Sequence, residues 1–116
     1  MPDLNHLHLH VRDTAQSGRF YEQWFGLREH VRHGDILFLR DGATFDLALA
    51  PDPAPPPLPS WFHFGFRLGR AEDVRDLHRR MASASLPGLC DLYADDDMVS
   101  FRVRDPDGYG IEVYWE

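Results

Sequence analysis

The chain has little cysteine, no lysine and no long apolar run. A single cysteine, Cys90, in 116 residues excludes an internal disulfide and any zinc cluster built on cysteine. No apolar stretch approaches the roughly 18 residues that a membrane-spanning helix needs. The N-terminal residues lack the basic and then apolar order of a secretory signal. These absences predict a cytoplasmic protein with no membrane partner.

The charge balance excludes a large nucleic-acid-binding surface. Nineteen acidic residues against twelve arginines give a formal net charge of −7, whereas a phosphate backbone attracts basic faces. Hydrophobic residues make up 43% and charged residues 27%, a balance typical of globular proteins. The length suits one domain, or two half-domains that share a core.

Histidine is the abundant residue type, with seven in the chain. Three of them, His6, His8 and His10, alternate with apolar residues in L-N-H-L-H-L-H-V. Alternation with period two predicts a half-buried strand that carries these histidines on one face. Histidine titrates near neutral pH and is the commonest metal ligand in proteins, so this face is a candidate for metal chemistry.

The predicted elements occur twice in the same order: strand, helix, strand, strand, strand. In module one, residues 1–50, they span 4–11, 13–25, 28–33, 35–40 and 43–50. In module two, residues 61–116, they span 61–68, 71–84, 89–93, 98–104 and 109–115. In the connector, 51–60, five of the chain's nine prolines fall between residues 53 and 59. This density of proline favours a stiff extended segment. The order predicts an α+β fold made of two βαβββ modules in a single domain, 1–116.

Four residues recur in comparable places of the two modules. His6 and His63 open the first strands, and Asp46 and Glu112 lie in the last strands, each pointing away from the apolar face. A pseudo-two-fold operation would bring the four together. Two imidazoles with one or two carboxylates suit a divalent metal: iron(II) is the first choice, and nickel, zinc or manganese are alternatives. Asp46 fits a solvated strand residue equally well.

Several segments together resemble the vicinal oxygen chelate superfamily. They read L-N-H-L-H-L-H-V-R-D, R-F-Y-E-Q-W-F-G-L, H-F-G-F-R-L and D-P-D-G-Y-G-I-E-V, and the match covers nearly the whole chain. The superfamily includes glyoxalase I, bleomycin resistance proteins, fosfomycin-resistance thiol transferases and extradiol dioxygenases. The resemblance implies two βαβββ modules that form a curved mixed sheet around a cavity. It also implies a homodimer and a small-molecule substrate.

The resemblance assigns roles to the recurring residues. His6 matches the first-strand ligand, His63 the ligand of the second module, and Glu112 the acid after the D-P-x-G turn. Asp46 falls where glyoxalase I enzymes place a fourth ligand and where other branches carry none. The binding-only bleomycin resistance branch usually lacks this ligand set, so the resemblance favours a metalloprotein.

The resemblance implies a metal-dependent enzyme acting on a small substrate with two neighbouring oxygens. A dioxygenase-like activity of the extradiol type comes first, because two histidines and one carboxylate are better supported than four ligands. The alternatives are a glyoxalase I-like isomerase or lyase and a non-catalytic protein that binds a drug or metabolite. A fosfomycin-type transferase is disfavoured, since a polar potassium-binding loop and a basic C-terminal segment are not seen.

Further candidates share a strand face with the ligands. His8 is the candidate acid–base residue; a polar lining residue, or one that orients a ligand, is the alternative. An anionic substrate group suits an arginine, and an aromatic substrate can stack on tryptophan. Solvated arginines and a packed tryptophan are the simpler alternatives. The substrate-binding candidates are Trp61, Arg67, Arg102 and Tyr114.

Overall fold

The computed structural model describes all residues from 1 to 116 and divides the chain into two compact units. Unit one is Met1–Pro57 and unit two is Leu58–Glu116. The division falls inside the proline-rich connector, where prolines remove backbone donors and prevent a strand or helix from crossing it.

Unit one contains one helix and a four-stranded sheet. Its elements are β1 (His6–Val11), α1 (Thr14–Phe25), β2 (Arg28–His33), β3 (Ile36–Arg40) and β4 (Asp46–Pro51). The strands are ordered β1-β4-β3-β2, with β1 parallel to β4 and the other pairs antiparallel.

Unit two repeats this topology. Its elements are β5 (His63–Arg67), α2 (Ala71–Ser83), β6 (Tyr93–Ala94), β7 (Val99–Arg104) and β8 (Gly110–Trp115). The order β5-β8-β7-β6, with β5 parallel to β8, is the order of unit one. The predicted α+β fold of two βαβββ modules is confirmed. Neither helix has the length and apolar character needed to cross a membrane.

Local signals set the ends of α1 where the sequence places them. The Asp13 carboxylate accepts a hydrogen bond from the backbone N–H of Gln16 at 3.0 Å, which satisfies a donor of the first turn. Gly26 ends the helix with φ of 70°, in the left-handed region that glycine adopts without steric cost.

Each sheet buries one face beneath its own helix, and the opposite face of unit one carries the histidines of β1 together with Phe38 and Ala48. In β1 the buried residues Leu9 and Val11 alternate with exposed histidines, as period-two geometry requires. The apolar face of unit one is completed by Tyr21, Leu37, Leu39, Leu47 and Leu49. The corresponding core of unit two comprises Val74, Leu77, Met81, Val99, Phe101, Val103, Ile111 and Val113.

Two of the predicted strands are shortened by backbone turns at their ends. The strand predicted at 43–50 begins at Asp46, because the Asp41 carboxylate accepts the backbone N–H groups of Ala43 and Phe45 and holds a turn there. The strand predicted at 61–68 spans His63–Arg67, since the Phe62 N–H bonds back to the Pro59 carbonyl.

The prediction of a strand at 89–93 is wrong except at its last residue. Only Tyr93–Ala94 pair as a strand. Gly88 has φ of 72° and turns the chain. Cys90 then makes isolated bonds, donating its N–H to the Arg102 carbonyl at 2.8 Å and accepting from His78 Nε2 at 2.9 Å. The loop before Tyr93 is therefore held to the rest of unit two by hydrogen bonds at Cys90, and it does not pair with β7 as a strand.

Candidate metal centre

The three histidines of β1 lie on the exposed face of the unit-one sheet. Cross-strand pairing sets His6 opposite Asp46, His8 opposite Ala48 and His10 opposite Ala50. The pairs form successive rows across the face, two residues apart. His6 therefore has an acidic neighbour, while His8 and His10 have only alanine methyl groups beside them on β4.

Two of these histidines are oriented through the same ring nitrogen. His6 Nδ1 lies 3.0 Å from the Asn5 side-chain oxygen, and His10 Nδ1 lies 2.9 Å from Asp52 Oδ2. Those oxygens accept, so Nδ1 carries the proton and Nε2 of a neutral ring keeps its lone pair. Neutral imidazole with one nitrogen hydrogen-bonded is the form that ligates metals. The His8 ring contacts the His10 ring, with centroids 5.3 Å apart.

Asp46 is held by an arginine of the neighbouring strand. Arg40 Nε donates to Asp46 Oδ1 at 2.7 Å, and its terminal nitrogen donates to Oδ2 at 3.0 Å. The hydrogen bond from Arg40 is the largest cause of a lowered pKa of the Asp46 carboxyl, and partial burial opposes it. Both carboxylate oxygens are thus engaged by a fixed cation, which leaves Asp46 poorly disposed to bind a metal.

The Asp46 carboxyl predicts a specific acid sensitivity. Because its pKa is lower folded than unfolded, the ion pair stabilises the protein above the unfolded pKa and is lost as pH falls through the folded value. We expect Asp46→Asn to lose less stability than the wild type between about pH 5 and pH 3. Thermal unfolding of both proteins across that range measures it. Equal pH slopes would contradict the assignment.

In unit two, His63 is oriented in the same way as His6. Its Nδ1 lies 3.0 Å from the carbonyl oxygen of Trp61. A carbonyl only accepts, so Nδ1 bears the proton and Nε2 presents a lone pair. Trp61, whose carbonyl accepts the hydrogen bond from His63 Nδ1, precedes β5 and is 73% exposed.

Glu112 lies on the same face, one row further along. It pairs with Gly65 on one side and with Arg102 on the other. The Arg102 guanidinium approaches both candidate ligands, at 3.5 Å from His63 Nε2 and 4.0 Å from Glu112 Oε2. One imidazole nitrogen and one carboxylate of unit two thus converge on a single positive group.

The register shows that the two acids are not equivalent. Each candidate histidine precedes its unit's helix by eight residues, so His6 corresponds to His63. Asp46 pairs with His6, and the residue that pairs with His63 is Gly110. Glu112 lies in the next row, and its counterpart in unit one is Ala48. Of the two acids, only Glu112 occupies this row.

The remaining substrate-binding candidates lie at different places on unit two. The Tyr114 ring lies beside Gly65, with its Cε1 3.4 Å from where a Cβ would stand. Arg67 donates to the Glu116 backbone carbonyl at 2.9 Å and lines a pocket of about 270 Å³ with Leu68 and Trp115. Of the two arginines, Arg102 is therefore the one beside the candidate ligands.

The donor chemistry of these residues fits a divalent metal. The structure gathers no group of three or more histidine, cysteine, aspartate or glutamate side chains into one cluster. Within unit one, His6 has Nε2 available. Within unit two, His63 Nε2 and the Glu112 carboxylate lie beside Arg102. Arg102 indicates that the unit-two pair accepts a cation, and imidazole with carboxylate suits first-row transition metals.

In each unit, one arginine pairs with an acid in a way that the sequence patterns did not predict. Arg40 and Arg102 each stand directly across a strand pair from an acid, Asp46 and Glu112 respectively. Both strand pairs are antiparallel and joined by short turns. Counting outward from the Asp41-Gly42 and Asp105-Gly108 turns would have revealed these pairings, since turn length sets hairpin register.

The glyoxalase/bleomycin resistance protein/dioxygenase superfamily model matches residues 3–113. The chain belongs to this superfamily. The duplicated βαβββ topology described above is thus that of a superfamily member.

The proteins that this chain resembles in sequence or structure include enzymes. The glutathione transferase FosA of Serratia marcescens is 29% identical over 98% of this chain and 81% of its own length. The protein PA2024 of Pseudomonas aeruginosa is 34% identical, covering 96% and 86%. A possible glyoxalase of Bacillus cereus superimposes with a TM-score of 0.80 at 28% identity, covering 96% of both chains.

Proposed function

We propose that the protein is a metal-dependent enzyme acting on a small substrate with two neighbouring oxygens. The proposed ligands are His6, His63 and Glu112, with iron(II) as the first choice and nickel, zinc or manganese as alternatives. Support comes from both histidines, each of which keeps Nε2 available while Nδ1 is held. Further support comes from Glu112, which faces a cation together with His63.

The choice of reaction class rests on one observation: Asp46 and Glu112 do not occupy equivalent positions in their sheets. Glu112 has an alanine as its counterpart, and Asp46 is engaged by Arg40 through both oxygens. This favours two histidines and one carboxylate with open positions for substrate and a second reactant. A dioxygenase-like activity of the extradiol type fits that set. A glyoxalase I-like isomerase or lyase would require Asp46 to leave Arg40 and serve as a fourth ligand.

The surrounding side chains take complementary roles in this proposal. A bound divalent metal supplies Lewis-acid stabilisation of negative charge on substrate oxygens. His8 accepts a proton from a substrate hydroxyl as general base. Arg102 neutralises an anionic substrate group, and Trp61, 73% exposed, offers a ring for stacking. Tyr114 lines the same face of unit two, and Arg67 contributes positive charge further along it.

Metal content and oxygen uptake test the proposal. Protein purified without added metal and then loaded with iron(II) is expected to consume oxygen when catechols are supplied. Turnover of a hemithioacetal with nickel or zinc would select the isomerase instead. Absence of affinity for iron, nickel, zinc and manganese would overturn both enzyme proposals and leave a drug- or metabolite-binding protein.

A second candidate, glutathione transfer to an anionic electrophile, is favoured by one comparison. The alignment with FosA covers 98% of this chain at 29% identity, and Arg102 provides a cation beside the candidate ligands. When the metal-loaded protein is supplied with glutathione and an anionic electrophile, thiol consumption without oxygen uptake would select this reaction. A homodimer, implied by the resemblance, and a cytoplasmic location, predicted from the sequence, complete the proposal.

A further inference from the structure

Arg102 differs from the other two arginines on its face of the unit-two sheet. Arg67 donates to the Glu116 carbonyl at 2.9 Å, and Arg104 donates to the Gly108 carbonyl at 2.8 Å. Both guanidinium groups are thereby tied to backbone. Arg102 instead reaches Glu112 in its own row and His63 in the neighbouring row, and its side chain is 48% exposed.

The contacts of Arg102 use the atoms that a metal needs. Its terminal nitrogen lies 3.5 Å from His63 Nε2, the nitrogen left with a lone pair by the bond from Nδ1 to Trp61. The same nitrogen lies 4.0 Å from Glu112 Oε2. A metal ligated by this nitrogen and this carboxylate takes over both contacts. Two cations in that volume repel each other, so the guanidinium must move when the metal enters.

We propose that Arg102 is a cation latch: its guanidinium holds His63 and Glu112 in place without metal and becomes the receptor for an anionic substrate group once metal displaces it. The inference rests on the proposed function, because it takes His63 and Glu112 as ligands. It adds that the substrate carries a carboxylate, phosphate or phosphonate group, and that Arg67 and Arg104 do not share this role.

The latch makes metal and anion binding mutually dependent. Without an anion, the displaced guanidinium lies close to a divalent cation and weakens metal binding. A bound anion offsets that repulsion, so it strengthens metal affinity, and by linkage the metal strengthens anion affinity by the same factor. Arg102 is thus a positioning residue for the ligands in one state and a substrate-binding residue in the other.

Calorimetric titration with Mn²⁺ alone tests the first state. Arg102→Met removes the competing cation, so we expect Mn²⁺ to bind about 3- to 30-fold more tightly than to the wild type, a change typical of one charge near a partly exposed site. Arg104→Met is the matched control, because the Arg104 guanidinium is bound to the Gly108 carbonyl, and the metal affinity of this variant is expected to equal the wild type's. Arg102→Lys restores the charge and should return the affinity towards the wild-type value.

Titration with inorganic phosphate tests the second state. Phosphate is expected to bind the Mn²⁺-loaded wild type more tightly than the metal-free protein, and this difference is expected to disappear in Arg102→Met. Equal Mn²⁺ affinity in the wild type and Arg102→Met, or weaker affinity in the variant, would overturn the latch alone. No Mn²⁺ binding by either protein would overturn the proposed function as well. Circular dichroism confirms that each variant is folded.

Discussion

Replacing His63 with alanine is expected to lower divalent-metal affinity by about 100-fold or more, since loss of an outer partner of a ligand already costs 10- to 100-fold. The imidazole cannot be substituted by a neighbour, because the adjacent residues on its face are Gly65 and Gly110. Neither glycine provides a side-chain donor. Turnover that depends on the metal should fall in parallel.

The control for this substitution is a histidine of similar exposure outside the ligand set. His33, on β2, packs its ring edge-on against Phe38 with centroids 5.3 Å apart, and His33→Ala should leave metal affinity unchanged. Equilibrium dialysis with Mn²⁺ or Zn²⁺ compares the two variants. If His63→Ala retains wild-type affinity while remaining folded, His63 is not a ligand and the proposed centre is incorrect.

The face on which each of these residues lies could be predicted from sequence. Alternation in L-H-L-H-V and in H-F-G-F-R assigns side chains to one of two faces, because successive strand residues point in opposite directions. Buried Leu9 and Val11 beside exposed His8 and His10 follow this pattern. The ends of α1 could also be predicted from sequence, because Asp13 caps the N-terminus and Gly26 ends the helix in the left-handed conformation.

The row on each face could not be predicted in this way. Alternation repeats every two residues, so it assigns Asp46 and Glu112 to polar faces but cannot separate positions two residues apart. The distinction depends on pairing between strands distant in sequence, which sets His6 against Asp46 and Gly65 against Glu112. Hydrophobic pattern alone leaves such a two-residue slip undetermined, because it exchanges no side chain between faces.

The partners of the two acids follow from hairpin register and not from alternation. Whether a carboxylate is available to a metal depends on the cation opposite it. Asp46 faces Arg40 in a two-bond ion pair, whereas Glu112 stands 4.0 Å from an arginine that also reaches His63. Residue type predicts a ligand in both cases, and only cross-strand geometry separates them.

A pair of conservative substitutions at these acids is expected to give opposite results. Glu112→Gln keeps the size of the side chain and removes its charge, so metal affinity should fall by about 100-fold, as for loss of a ligand. Asp46→Asn makes the same chemical change in unit one, next to His6 and one row from Ala48, the counterpart of Glu112. We expect it to leave metal affinity within about threefold of the wild type and to lower the melting temperature, because Arg40 loses its charged partner.

Calorimetric metal titrations and thermal unfolding of both variants separate ligation from stability. Glu112→Gln should bind metal weakly while unfolding near the wild-type temperature in metal-free buffer, since its arginine contact is long and partly exposed. Equal, large losses of metal affinity in both variants would instead indicate four ligands. That outcome would require Asp46 to exchange Arg40 for the metal, and it would favour the glyoxalase-type reaction over the dioxygenase-like one.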